Sequence, residues 1–161
     1  MKTAILTVST SVAAGHNQDT SGIALAELAQ EAGAEIVARG LVPDDRGQIE
    51  AWLRAQVAAG AALILTTGGT GFTPDDVTPE ATRAVIDRDA PGLAEAMRAE
   101  SARHTPMGML SRAVTGIAER TLIVNFPGNP KAVRELFPVI APVLPHAIAT
   151  LRRERGQRVE H

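Results

Sequence analysis

The chain has no cysteine and very few aromatic residues. Cysteine and tyrosine are absent from its 161 residues, and the aromatic residues are one tryptophan and three phenylalanines. Without cysteine the protein has neither a disulfide framework nor a thiolate nucleophile, and a reducing compartment suits it. Because aromatic rings are scarce, we expect a core built from alanine, valine, leucine and isoleucine.

The sequence also lacks a strong excess of charge and a long apolar run. Its 16 basic and 18 acidic residues give a net charge of −2, which provides no general attraction to nucleic acid. No continuous apolar run approaches the ~20 residues that a membrane-spanning helix needs. The N-terminal segment is typical of a strand followed by a polar loop rather than of a secretory signal. We therefore expect a cytoplasmic protein without nucleic-acid or membrane partners.

Strand and helix patterns alternate along the chain. The β-rich runs lie at 2–9, 34–41, 62–65, 114–118 and 121–126. Helical patterns cover 21–32, 45–59, the segment after Thr78, a stretch from 92 to about 103, and a final region broken at Pro138, Pro142 and Pro145. This alternation predicts an α/β fold, a three-layer α/β/α sandwich with a mostly parallel central sheet. We expect one domain over residues 1–154 and a frayed tail at 155–161.

In such folds, ligands bind where the parallel strands end. The corresponding loops are 9–19, 42–47, 66–76 and 126–131. The third loop reads TTGGTGFTPDD. Its glycines let backbone N–H groups approach an anion, and hydroxyls of Thr66, Thr67 and Thr70 add donors. The segment has neither the GxxxxGK[ST] nor the GxGxxG spacing, and a tight turn after a buried strand is the alternative interpretation.

Two acidic pairs follow strand ends. Asp75 and Asp76 precede a helix that we expect Thr78 to cap, and Asp44 and Asp45 precede the helix over 45–59. Carboxylates beside a phosphate-binding loop suit Mg²⁺, which prefers one or two carboxylates together with phosphate oxygens. Acids in these positions also stabilise helix N-termini, and the sequence leaves open which acid of each pair has which role.

Other polar groups give weaker signals. Lys131, in the first helical turn at the end of the loop 125–131, suits a docked anion, although a well-built strand-to-helix turn is by itself the better explanation of this segment. Ser111 and Arg112 pair a hydroxyl with a guanidinium, a combination that clamps phosphate or carboxylate. The four histidines lack metal-ligand spacing, and Ser9 and Ser11 lack the GxSxG context of a nucleophile.

Three segments, taken in order, resemble a known family. TTGGTGFTPDDVTPEAT, TPMGMLSRAVTGI and IVNFPGNPKAV are similar to the molybdopterin-binding Mog/MoaB family, which includes the G domain of gephyrin. The likeness covers roughly residues 3–150. It implies a role in molybdenum cofactor biosynthesis, in which ATP and Mg²⁺ adenylylate molybdopterin and release pyrophosphate. It also implies a homo-oligomer, a trimer or a hexamer.

The resemblance assigns roles to residues of this sequence. Asp44 and Asp76 correspond to the catalytic carboxylates, which also hold the metal. Ser111 corresponds to a position that handles molybdopterin. The glycine loops imply that the cofactor is bound by Thr67, Gly68, Gly69, Thr70, Gly71, Pro127, Gly128 and Asn129.

One position departs from the family pattern. The first strand often ends in Val-Ser-Asp in the family, whereas this chain has Val8, Ser9 and Thr10. The mouth of the site therefore lacks an acid. A module that binds molybdopterin without adenylylating it is the alternative interpretation. A nucleotide pyrophosphatase of the related competence-damage type is a third.

Overall fold

Six strands form a single sheet. The computed structural model describes residues 1–154 and 156, and its strands are β1 Lys2–Val8, β2 Glu35–Val42, β3 Leu63–Thr67, β4 Arg88–Asp89, β5 Thr115–Ala118 and β6 Thr121–Phe126. Their order across the sheet is β2-β1-β3-β6-β5-β4. Strands β1, β2, β3 and β6 are parallel, and β5 pairs antiparallel with both β6 and β4.

Helices connect these strands. They are α1 Thr10–Ala13, α2 Thr20–Glu31, α3 Arg46–Ala58, α4 Thr78–Val85, α5 Pro91–His104, α6 Pro130–Ile140 and α7 Leu144–Leu151. Short 3-10 helices cover Pro106–Leu110 and Ala141–Val143. Asp19 and Asp45 cap α2 and α3 by accepting the N–H groups of Gly22 and Gln48.

The alternation of side chains along the central strands divides the core in two. In β1, Ile5 packs into the cluster that contains helices α2 and α6, whereas Ala4 and Leu6 pack into the cluster with α3. In β3, Leu63 and Leu65 face the first cluster, and Ile64 faces the second. The sheet is therefore covered by helices on both faces, as the sequence predicts for a three-layer α/β/α sandwich.

The predicted fold class is confirmed, but the local description needs two corrections. The sequence gives no signal for β4, because two exposed residues become a strand only by pairing with β5. Pro138 does not end the helix in which it lies: it is an exposed residue within α6, which continues to Ile140. The predicted break near Pro142 is present as the 3-10 helix, and the frayed tail predicted at 155–161 lies outside the described residues except for Gly156.

One helical stretch is long and apolar enough to cross a membrane by length and composition alone. It is Pro130–Leu151, with a mean hydropathy of 1.3. Of its apolar window, 33% is buried, and Val133, Phe137 and Leu144 belong to the core cluster that packs on the sheet. The stretch therefore contributes part of the domain core.

Candidate functional site

Two adjoining cavities lie at the carboxyl ends of the central strands. A polar cavity of about 510 Å³ lies beside β1, and a mainly apolar cavity of about 420 Å³ lies between β6 and α5. Gly69, Asp76 and Gly128 line both. The loops after β1, β2, β3 and β6 all contribute, so both cavities lie at the sheet edge where the sequence predicts ligand binding.

The polar cavity is lined by hydroxyl and amide side chains. They belong to Thr7, Ser9, Ser11, Asn17, Gln18, Thr20 and Ser21. Its charged lining residues are Asp44 and Asp76, and no lysine or arginine of the described chain lines it. An anion placed here would meet two carboxylates and no cationic side chain of the described residues.

The apolar cavity has a different chemistry. Aliphatic and thioether side chains form most of its wall, namely Ala94, Met97, Met107, Leu110, Ala132 and Leu136. Ser111 and Asn125 add polar groups. Arg98 also lines it, but its Nη1 donates to the carbonyls of Ser111 and Ala113 at 3.3 and 2.9 Å. A largely apolar chemical group that also carries polar atoms suits such a wall.

The structure separates the roles of Asp44 and Asp45. Asp45 caps α3, and its Oδ1 accepts the N–H of Gln48 at 2.8 Å. Asp44 instead turns to the loop after β1, where its Oδ2 accepts both the N–H and the hydroxyl of Thr10, at 3.0 and 2.9 Å. Asp44 is thus the acid of this pair that borders the polar cavity.

The second pair divides in the same way. Asp75 is exposed and lines neither cavity, whereas Asp76 is half-buried and lines both. The Oδ2 atom of Asp76 accepts the N–H and the hydroxyl of Thr73, each at 2.9 Å. The structure therefore brings together Asp44 and Asp76, the two acids that the sequence resemblance selects.

Each of these carboxylates keeps one oxygen unused. In both, Oδ2 is fixed by a threonine, and no described residue donates a hydrogen bond to Oδ1 of Asp44 or Asp76. Within the described chain, no group of three or more acidic, histidine or cysteine side chains forms a ready metal cage. Two free carboxylate oxygens at a cavity wall fit Mg²⁺, which completes its coordination with substrate phosphates and water.

The glycines of the loop after β3 are required first by packing. Gly68 has a φ of +100°, and a Cβ there would collide with the carbonyl oxygen of Val8. Gly69 has a φ of +69°, and a Cβ there would collide with the hydroxyl of Thr78. Both positions need a left-handed backbone with no side chain, because the loop lies directly against β1 and α4.

Thr78 does not cap α4 as the sequence suggests. Val77 occupies the N-cap position without a side-chain bond, and Thr78 is the first residue of the helix. Its buried hydroxyl donates to the carbonyl of Gly68 at 2.9 Å, and its N–H donates to the carbonyl of Gly69 at 3.1 Å. Thr78 thus ties the start of α4 to the glycine loop.

Some polar groups of the predicted anion-binding loop already form hydrogen bonds within the protein. Thr66 and Thr67 belong to β3 and are fully buried; the Thr66 hydroxyl accepts from Asn125, and the Thr67 hydroxyl donates to the Pro127 carbonyl at 2.7 Å. The N–H of Gly68 donates to the carbonyl of Phe126. No described acceptor takes the N–H groups of Gly69–Gly71, so these donors remain for a ligand.

Arg112 is not free to clamp a substrate. Its Nε and Nη2 donate to the carbonyls of Gly71 and Asp76 at 2.8 and 2.7 Å, and its Nη1 bonds the carboxylate of Glu80. Its own N–H donates to the carbonyl of Thr70. The guanidinium therefore fixes the loop that carries Asp76, and the expectation of a phosphate clamp at Arg112 is corrected. Ser111, its neighbour, does line the apolar cavity.

This ion pair shifts the titration of Glu80. The hydrogen bond from Arg112 lowers the pKa of the Glu80 carboxyl, and partial burial opposes that shift without overcoming it. Glu80 lines neither cavity. Glu80 thus holds the guanidinium of Arg112, which in turn binds the carbonyls of Gly71 and Asp76.

The turn after β6 completes the site. Pro127 lines the apolar cavity and Gly128 lines both, with a Cβ at Gly128 only 3.2 Å from the Cα of Gly68. Asn129 lines neither cavity; it caps α6 by accepting the N–H of Lys131 at 2.9 Å. Lys131 is exposed, and its ammonium lies 3.9 Å from Glu135 rather than at the site.

Asn125 is a site residue that the sequence interpretation did not single out. It is fully buried in β6, lines the apolar cavity and donates to the hydroxyls of Thr66 and Thr82 at 2.9 and 3.0 Å. Its Oδ1 accepts the N–H of Val114. A lone amide within the apolar strand TLIVNF is the signal that could have identified it, since buried amides need partners.

The chain matches a known family over most of its length. The model of the family described as "Probable molybdopterin binding domain" matches residues 4–146. A solved structure, the molybdopterin biosynthesis enzyme MoaB from Thermus thermophilus, is similar with a TM-score of 0.88 and 48% identity, over 93% of this chain and 95% of that one.

Two curated proteins illustrate the same relationship. The chain is similar to the molybdenum cofactor synthesis protein cinnamon of Drosophila melanogaster, with 43% identity over 89% of this chain and 24% of that protein. It is also similar to the molybdopterin adenylyltransferase of Haemophilus influenzae, with 49% identity over 59% of this chain and 49% of that protein. It spans less than half of either curated relative. With the fold, the paired cavities and these matches together, the chain belongs to the molybdopterin-binding domain family.

Proposed function

We propose that this protein acts in molybdenum cofactor biosynthesis as a molybdopterin adenylyltransferase. The observation that carries the proposal is the meeting of Asp44 and Asp76, from separate turns, at one cavity lined otherwise by neutral polar groups. A second, apolar cavity adjoins it and shares Asp76 with it. Two adjoining sites of different polarity suit a reaction between two substrates, one of them highly charged.

The two cavities take the two substrates in this proposal. The apolar cavity, with Ser111 at its wall, holds the pterin ring system, and the polar cavity holds the phosphates of ATP. The terminal phosphate oxygen of molybdopterin then forms a bond to the α-phosphorus of ATP. The bond from that phosphorus to the bridging oxygen breaks, and pyrophosphate leaves. The shared wall of Gly69, Asp76 and Gly128 is where the reacting groups meet.

The protein's part in such a transfer is positioning and charge control. Phosphoryl-type transfer needs little covalent chemistry from side chains, but it needs the reacting oxygens held in line. The N–H groups of Gly69–Gly71 are available to hold phosphate oxygens. Asp44 and Asp76 would hold Mg²⁺, which, when bound, offsets the negative charge of the phosphates. This role fits a cavity that no lysine or arginine of the described residues lines.

A product assay tests the proposal. Purified protein is incubated with molybdopterin, ATP and Mg²⁺, and pyrophosphate is measured together with adenylyl-molybdopterin. Release of both, dependent on molybdopterin, is the expected result. Molybdopterin binding without pyrophosphate release would contradict it and support a non-catalytic binding or scaffold module. Release of AMP from a dinucleotide in the absence of pterin would support a pyrophosphatase instead.

We also propose that the protein is a homo-oligomer, a trimer or a hexamer, that works in the cytoplasm. Large apolar side chains that are exposed in the single chain support an assembly; they include Phe72, Met107, Met109, Ile23, Val37 and Leu41. The absence of cysteine suits a reducing compartment. Sedimentation at a mass of one chain would contradict the assembly.

A further inference from the structure

We propose that Thr10 is a positioning residue for Asp44, a role that rests on the adenylyltransferase function proposed above. Thr10 stands where the family often has an acid, so its presence looks at first like the loss of a functional group. The geometry indicates a different role. Thr10 holds one oxygen of the Asp44 carboxylate and leaves the other for the cation.

The contact between Thr10 and Asp44 is reciprocal. The N–H and the hydroxyl of Thr10 both donate to Oδ2 of Asp44, at 3.0 and 2.9 Å. The N–H of Asp44 in turn donates to the Thr10 hydroxyl at 3.0 Å. Three hydrogen bonds thus join two residues that are 34 positions apart. A serine or threonine hydroxyl can both donate and accept in this way, whereas an ionised carboxylate in the same place has no proton to donate.

The sheet places Thr10 for this contact. The N–H of Ser9 donates to the carbonyl of Val42 at 2.9 Å, which extends the pairing of β1 with β2 by one residue. Asp44 follows two residues after Val42, so the strand register brings the two loops together. The orientation of the Asp44 carboxylate is therefore fixed by Thr10, and the position of Thr10 is fixed by the sheet rather than by the loop alone.

Asp76 is held by the same arrangement. Its Oδ2 accepts the N–H and the hydroxyl of Thr73, each at 2.9 Å, from within its own loop. Asp44 has no such local donor, because the helix start that follows it is capped by Asp45. At both acids, a single threonine donates to Oδ2, and no described residue donates to Oδ1. This repetition favours a common function, which is to present Oδ1 to a ligand.

The variant Thr10→Val tests this role with little disturbance of the fold. Valine keeps the shape and the backbone N–H of Thr10 and removes the hydroxyl, which leaves one of the three bonds intact. Thr10→Ser restores the hydroxyl. Thr150→Val is the matched control, since Thr150 is exposed on α7 and no described residue bonds its side chain. Urea unfolding of all three variants verifies that each is folded.

We expect Thr10→Val to lower kcat by about tenfold or more, because a misplaced catalytic carboxylate slows the reaction more than it weakens binding. KM for ATP should change less than kcat. Thr10→Ser should recover most of the rate, and Thr150→Val should equal the wild type. A wild-type rate in Thr10→Val, or a loss that Thr10→Ser does not recover, would overturn the proposal.

A second measurement does not depend on turnover. Side-chain coupling constants of Asp44, measured by NMR, should report one rotamer in the wild type and in Thr10→Ser, and averaging in Thr10→Val. A single, unchanged rotamer in Thr10→Val would overturn the positioning role. If the wild type releases no pyrophosphate, the proposed function fails, and the rotamer measurement still decides whether Thr10 holds Asp44. If Asp44→Asn keeps full activity while the wild type is active, the proposal for Thr10 fails and the function stands.

Discussion

The hydroxyl of Thr78 donates a hydrogen bond of 2.9 Å to the carbonyl of Gly68, and both groups are buried. This contact joins the first residue of α4 to the loop that supplies the free N–H groups of the site. Gly69 lies directly against the same hydroxyl, so its lack of a side chain is what allows the contact. The shape of the glycine loop therefore depends on the helix that follows it.

Thr78→Val should lower the free energy of unfolding by about 1–3 kcal/mol, because it leaves the buried carbonyl of Gly68 without a partner. Urea unfolding measures the change. Thr78→Ser keeps the hydroxyl and should lose less than Thr78→Val. A larger loss in Thr78→Ser than in Thr78→Val would mean that the methyl group, rather than the hydrogen bond, stabilises this contact.

Gly68→Ala should lower the free energy of unfolding far more than Gly60→Ala does, although both glycines have a left-handed backbone. Gly68 and Gly60 have φ values of +100° and +83°, but a Cβ meets the Val8 carbonyl at Gly68 and nothing within 4 Å at Gly60. We expect a loss of more than about 3 kcal/mol for Gly68→Ala and about 1 kcal/mol for Gly60→Ala. Thermal or urea unfolding of both variants checks this, and similar losses would contradict the close approach to Val8.

Without the family resemblance, the sequence predicts where the acids lie but not which of them reach the site. Both acidic pairs follow strand ends, and a parallel sheet brings such ends to one edge. Within each pair the two carboxylates are chemically the same. Only Thr10, 34 residues away, selects Asp44 over Asp45, and such a contact leaves no local pattern in the sequence.

Arg112 illustrates the same limit. A serine followed by an arginine indicates an anion clamp as readily as a structural tie. The carbonyls that occupy its guanidinium belong to Gly71 and Asp76, which are 41 and 36 residues away. By contrast, the alternation of strands and helices that predicts the three-layer fold is local, and the structure confirms it. Asn125 is partly predictable: the sequence shows a polar residue within an apolar strand, but it does not show the three hydrogen-bond partners of that residue.

The ion pair of Glu80 with Arg112 should make stability depend on pH on the acidic side. Because the folded-state pKa of Glu80 is lowered, its contribution is fully present above the ordinary value of 4.5 and is lost as the pH falls through the lowered value. The glutamate side chain is 41% exposed, so we expect no more than about 1 kcal/mol.

Urea unfolding of the wild type and of Glu80→Gln between pH 7 and about pH 3 measures this contribution. The stability difference between the two should be constant above the ordinary pKa of glutamate and should shrink below it. Glu27→Gln serves as a control, because Glu27 is exposed and no described residue forms an ion pair with it. A difference that grows on acidification would contradict the assigned direction.

The proposed function depends most on the two carboxylates acting together at one cavity. Asp44→Asn and Asp76→Asn change charge but hardly change shape, and each should fold normally because the residues are at the surface of the cavity. An amide is a poor ligand for Mg²⁺ and cannot offset its charge, so each variant should lose at least about 100-fold in rate. Asp75→Asn, at an exposed acid outside both cavities, is the matched control.

The most direct measurement is pyrophosphate release from molybdopterin, ATP and Mg²⁺ by the wild type, Asp44→Asn, Asp76→Asn and Asp75→Asn. We predict rapid release by the wild type and Asp75→Asn, and near-complete loss in the other two. Wild-type release by either Asp44→Asn or Asp76→Asn, in a variant verified to be folded, would contradict the central claim.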